Sequence, residues 1–151
     1  MSQNLLEKVK TLEPINPNRA TALFGGKSSG ILNWNDIAYP HWYKTYKRLL
    51  ANFWQSDEVN MSNDVKQFPM LSVQEQDTYL KVISLLATLD SSQTRTILLT
   101  SLYATDPSVQ SILAVIAQQE AVHNESYSYI LSSVVSLDKQ NQAFEIGRKD
   151  P

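Results

Sequence analysis

The sequence predicts an all-α protein built as a bundle of long helices. Two windows, each near 30 residues, carry apolar residues at spacings of three and four, and each opens on a capping signal. Ordinary helices average roughly 11–12 residues, so both windows are long. No stretch alternates apolar and polar residues as a half-buried strand would. Internal repeats and low-complexity tracts are also missing from the sequence.

The elements follow in order. Residues 1–38 hold "EPINPNRA", with two prolines, and "FGGKSSG", with three of the four glycines. This predicts an N-terminal arm with little regular structure beyond one short helix near its start. The second region, 39–151, begins with "PHWYKTYKRLLANFW". Pro40 suits a first helical turn, and Trp42, Tyr46, Leu49, Leu50 and Phe53 recur at helical spacing. The polar stretch "QSDEVNMSNDVKQFP" reads as a connection. The first long helix opens at Ser72, with Glu75 three residues on in the capping-box pattern, and runs to about Ala104. The second opens at Asp106-Pro107, an N-cap followed by a favourable first position, and runs to about Val135. After Leu137, "DKQNQAFEIGRKDP" adds no comparable apolar stripe. Two long helices and one shorter one do not close a core around stripes this wide. The expectation is an incomplete bundle, closed by further chain or by a partner.

Composition removes several functions. A hydrophobic content of 42% supports a real core, and a net charge of −2 argues against nucleic acid as the main partner. Without cysteine there is no disulfide framework and no thiolate metal site, and a cytoplasmic setting fits. The start, "MSQNLLEKVKTLE", has no secretory apolar region, and runs such as "ISLLATL" are too short to span a bilayer.

The chemistry lies where the apolar stripes break. On the second long helix Val109, Ile112, Leu113 and Ile116 define an inward stripe. Its continuation lands on Glu120, His123 and Tyr127 before returning to Ile130 or Leu131 and Val134. On the first long helix the stripe Tyr79, Ile83, Leu86 meets Asp90 where a leucine belongs, then continues through Thr94 and Ile97. A buried carboxylate costs several kcal/mol unless paired or bound to a metal. Glu-x-x-His on one helix with a carboxylate on its neighbour is the ligand pattern of di-iron and di-manganese carboxylate bundles. Oxygen and imidazole donors suit both metals. The pattern also fits plainer readings: a structural histidine–acid pair, or an Asp90 on the helix surface. On spacing alone, Tyr127 reads equally as a core tyrosine, and Trp54 as an anchor closing the first helix.

Three linked stretches, "FWQSDEVNMSNDV", "LSVQEQDTYLKVISLLATLDSSQ" and "EAVHNESYSYI", together resemble the small (β) subunit of class I ribonucleotide reductase, over about Trp34 to Val135. The resemblance implies a ferritin-like helical bundle housing a dinuclear iron or manganese centre and a tyrosyl radical, used to reduce ribonucleotides to deoxyribonucleotides. It implies that Asp90, Glu120 and His123 are ligands of one metal, with Glu120 bridging to the second. Tyr127 would be the radical residue, about 6 Å along the helix axis from His123. Trp54 would lie on the radical-transfer route toward the large (α) subunit, the implied partner beside a second small subunit.

The sequence departs from that pattern in one respect. The family's second ligand set, a further glutamate and a second Glu-x-x-His, has no counterpart after Tyr127, where Glu145 is the sole glutamate and histidine is missing. The chain therefore reads as the N-terminal half of such a subunit, about half of the di-metal bundle and inactive alone. A second chain or a downstream segment would supply the missing ligands. Two other functions fit the same residues: a ferritin-like di-iron oxidase or oxygenase with no stored radical, and a half-domain that only associates with other chains.

Overall fold

The computed structural model describes residues 19–27 and 30–149, with the side chains of 146 and 147 left undescribed. The short helix expected near the start of the arm lies outside the described residues. Among these residues there are five α-helices: α1 (His41–Ala51), α2 (Asp64–Gln67), α3 (Val73–Ser101), α4 (Pro107–Val134) and α5 (Leu137–Lys149). Strand pairing among them is confined to a single bridge between Phe24 and Ala104. None of the helices is long and apolar enough to cross a membrane. The chain divides into two compact units, Met1–Phe53 with Arg95–Ala117, and Trp54–Thr94 with Gln118–Pro151.

In the first unit the arm is tied down by backbone groups. Thr105 N donates to the Leu23 carbonyl at 2.9 Å, and its hydroxyl donates to the carbonyls of Ala22 (2.9 Å) and Gly25 (2.6 Å). Gly26 has φ +68°, and a Cβ there would lie 2.5 Å from Thr21 Oγ1, so both conformation and space require glycine. Asp106 caps α4 as the sequence predicts: its Oδ1 accepts from Ser108 N at 2.8 Å and from the Ser108 hydroxyl. Trp34 stacks on Tyr46 of α1 with ring centroids 4.7 Å apart. The α1 helix stops at Ala51, and Phe53, expected on its apolar stripe, is exposed. No residue of α1 is fully buried.

In the second unit the expected connection contains α2 flanked by two 3-10 turns, and it buries Met61 and Phe68. The ring of Phe68 meets Tyr79 of α3 edge-on at 5.5 Å. The capping box at α3 forms in full. Glu75 Oε2 accepts from Ser72 N (2.8 Å) and Ser72 Oγ (2.7 Å), and Glu75 N donates to Ser72 Oγ (3.3 Å).

Two expectations change. The first long helix ends at Ser101, three residues early, because tighter turns take over: Tyr103 N bonds the Thr100 carbonyl at 3.0 Å, and Ala104 pairs with the arm. The segment after Leu137 is a helix, α5, despite its few apolar residues. Asp138 in its first turn and Arg148 and Lys149 in its last complement the helix dipole, and Ala143 is its buried contact.

Candidate metal centre

Every candidate site residue, Trp54, Asp90, Glu120, His123 and Tyr127, lies in the second unit. Asp90 projects from α3, and Glu120 and His123 project from α4. One ligand atom from each can be chosen so that all lie within 4.8 Å of one another. His123 Nδ1 is 3.3 Å from Glu120 Oε2 and 4.0 Å from Asp90 Oδ2. The side chains of Asp90 and Glu120 are only 12% and 16% exposed, against 38% for His123, so the carboxylates sit deeper than the imidazole.

The stripes explain why these groups meet. Tyr79, Ile83, Leu86, Thr94 and Ile97 are each partly buried, and Asp90, in line with them, is buried. On α4, Val109, Ile112 and Leu131 are buried, and Glu120, His123 and Tyr127 between them are partly so. Asp90 is therefore not a surface residue.

The electrostatics leave the trio incomplete. Asp90 Oδ2 is buried with no hydrogen-bond partner. Burial first, then the neighbouring Glu120 carboxylate, pushes the Asp90 carboxyl above the usual aspartate range, and His123 only partly offsets this. An ordinary histidine–acid pair would leave no such orphan oxygen. Two carboxylates and an imidazole whose ligand atoms lie within 4.8 Å of one another are a donor set for a divalent iron or manganese ion, and the residues present fit it.

Tyr127 is half-buried one helical turn beyond His123. Burial first, then the charges of Asp90 and Glu120, raise its phenol above the usual tyrosine range, so it keeps its proton throughout the physiological range. The indole of Trp54 lies against the outer part of the cluster, its ring centroid 5.9 Å from that of His123 at a 32° tilt.

One residue escaped the sequence reading. Asn124 Nδ2 on α4 donates to the Ala87 carbonyl on α3 at 2.6 Å and to Ser91 Oγ at 2.7 Å. Its signal was its position: Asn124 and Ser91 each immediately follow a ligand candidate on their own helices.

Comparison with known proteins identifies relatives of the chain. The family model described as "Ribonucleotide reductase, small chain" matches residues 31–151. The ribonucleoside-diphosphate reductase subunit beta of Halalkalibacterium halodurans is 45% identical over 145 residues, which cover 96% of this chain and 42% of that protein. A ribonucleotide reductase R2 subunit from Clostridium botulinum superposes with a TM-score of 0.87 at 32% identity, covering 92% of this chain and 44% of that one. The dimanganese(II)-NrdF of Streptococcus sanguinis superposes with a TM-score of 0.73 at 27% identity, covering 80% and 43%. The chain thus spans less than half the length of these relatives, and its all-α architecture is the ferritin-like fold of R2 proteins. Because the matched segment takes in Trp54, Asp90, Glu120, His123 and Tyr127 and covers most of the sequence, the chain belongs to the ribonucleotide reductase small-chain family.

Proposed function

We propose that this chain is part of the radical-generating small subunit of ribonucleoside-diphosphate reductase, which serves the reduction of ribonucleotides to deoxyribonucleotides. The observation that carries the reading is the orphaned, buried Asp90 Oδ2 beside Glu120 and His123, in a member of a family that houses a dinuclear iron or manganese centre. In this reading residues 39–151 contribute the N-terminal half of the ferritin-like domain. Asp90, Glu120 and His123 would hold one metal, with Glu120 also serving the second. Because the chain has only two histidines, His41 and His123, the remaining ligands come from a second chain or a further segment. The partners are the large subunit and a second small subunit, in the cytoplasm where nucleotide pools supply DNA synthesis.

When bound, the dinuclear centre would supply the one-electron oxidant for the Tyr127 phenol. The chain's own residues do the rest. The carboxylates of Asp90 and Glu120 and the imidazole of His123 fix where positive charge can sit. Tyr127 holds its proton on Oη until it is oxidised, and its partial burial shields the resulting radical from solvent. Trp54, packed against His123, offers the next oxidisable ring outward.

The test pairs this chain with one carrying the second Glu-x-x-His set, loads metal, adds oxygen or another oxidant, and records electron paramagnetic resonance. A tyrosyl radical is expected. Tyr127→Phe removes it and leaves metal binding nearly intact, since the ring packing is kept. His123→Ala loses metal, because it deletes a donor and leaves two carboxylates facing each other. A wild-type radical in Tyr127→Phe would overturn the assignment of that residue and favour a di-iron oxidase.

A further inference from the structure

We propose that Asn124 is a positioning residue for the metal ligands: its side-chain amide clamps α4 to α3 beside Asp90 and so holds Asp90 and His123 at ligand distance. The inference rests on the reading of Asp90, Glu120 and His123 as a metal site.

The clamp is a closed triangle. Asn124 Nδ2 donates to both the Ala87 carbonyl and Ser91 Oγ, and Ser91 Oγ itself donates to the Ala87 carbonyl at 2.7 Å. Both amide hydrogens of Asn124 are spent across the helix pair. Serine or threonine could supply one donor, and aspartate none. Ala87 and Ser84, each only 1% exposed, present small side chains on this face of α3, so the partner helix can approach closely enough for a short side chain to reach backbone. Successive helix residues are separated by about 100° of rotation. Ser91 therefore stands beside Asp90, and Asn124 beside His123, and the clamp flanks the ligand pair directly.

The clamp also has a force to oppose. Asp90 on α3 and Glu120 on α4 are like charges at close range, which push the two helices apart wherever no cation lies between them. Hydrogen bonds that cross the same gap one residue away keep the ligands near their bound separation before a metal arrives. Outer residues that orient ligands in this way typically change metal affinity by 10–100-fold when removed.

The experiment titrates the metal-free chain with Co(II), following the visible absorption bands, which report ligand number and geometry, and records thermal melts in parallel. Wild type binds Co(II), and His123→Ala does not. Asn124→Leu, which keeps a side chain of similar shape but no donor, and Asn124→Ala bind about tenfold or more weakly with altered bands. Ser91→Ala has a smaller effect. The double variant Asn124→Ala/Ser91→Ala binds no more weakly than Asn124→Ala alone, because both changes break one link. Wild-type affinity and bands in Asn124→Leu, whatever its melting temperature, would overturn the clamp while leaving the metal site standing. A wild-type chain that binds no Co(II) would overturn both.

Discussion

The Nδ1 atom of His123 stands 4.0 Å from Asp90 Oδ2, an oxygen buried without any hydrogen-bond partner. In the metal-free chain His123 only partly offsets the cost of burying this carboxylate beside Glu120. Burial, and then Glu120, raise the Asp90 carboxyl above its ordinary range, so folding penalises its charged form relative to the neutral acid. A group whose folded value is raised contributes its stability below the unfolded value, about 4, and loses it as pH rises through the folded value. The metal-free protein therefore loses stability through Asp90 as pH climbs from about 4 toward neutrality. Asp90→Asn removes that loss. With a chelator present at pH 7, the variant is expected to melt about 2–4 °C above wild type, corresponding to on the order of 1 kcal/mol. Added Mn(II) should raise the melting temperature of wild type and not of the variant. A chelated variant that melts below wild type at pH 7 would show that Asp90 is satisfied in some other way.

Much of this site was legible in the sequence because helical periodicity is strict. Leu86 and Asp90, like Ile116 and Glu120, are four residues apart, so a polar residue on an apolar stripe is visible without coordinates. The capping signals at Ser72 and Asp106 were legible for a similar reason: the partner is three residues away or fewer. Contacts that depend on another helix were not. Nothing local to Asn124 says that its amide will meet Ala87, 37 residues away. The α5 helix was missed because the stretch after Leu137 carries few apolar residues, which leaves little periodicity to read. The early end of α3 was missed because it depends on the pairing of Ala104 with Phe24 in the arm.

A second face of α3 predicts how the chain behaves in solution. Val82, Leu85 and Leu89 lie about 100° to one side of the Asp90 stripe, opposite the Ser84–Ala87 side, and are 50%, 44% and 48% exposed. Aligned apolar side chains on one helix face drive association. The 151-residue chain should therefore self-associate or aggregate at micromolar concentration in sedimentation velocity, and melt over a broad range. Replacing Leu85 and Leu89 by glutamine should lower the degree of association while leaving Co(II) binding unchanged, because neither residue is on the ligand face. Unchanged association in that double variant would place the sticky surface elsewhere, and a sharp melt of a monodisperse wild-type monomer would count against an exposed apolar face of any consequence.

In the proposed function, the contact between Trp54 and His123 would separate the source of an oxidising equivalent from its exit. Trp54 is partly buried three residues past the end of α1, and its ring centroid lies 5.9 Å from that of the imidazole. It supplies no ligand atom, so replacing it should not disturb the donor set. Trp54→Phe keeps an aromatic ring against His123 and removes the easily oxidised indole. With the complementary ligand set and the large subunit present, this variant is expected to bind metal as wild type does and to form the Tyr127 radical in full. Nucleotide reduction should fall by orders of magnitude, because the route by which an electron returns to Tyr127 as the radical leaves would be broken while the radical's origin is intact. Trp54→Ala tests the other role of the ring. It opens space beside His123, so it should also weaken metal binding, by an amount that Trp54→Phe does not share. Electron paramagnetic resonance and a turnover assay on the same samples distinguish the cases. Full turnover in Trp54→Phe would mean that the radical leaves by another route and that Trp54 serves only to pack the imidazole.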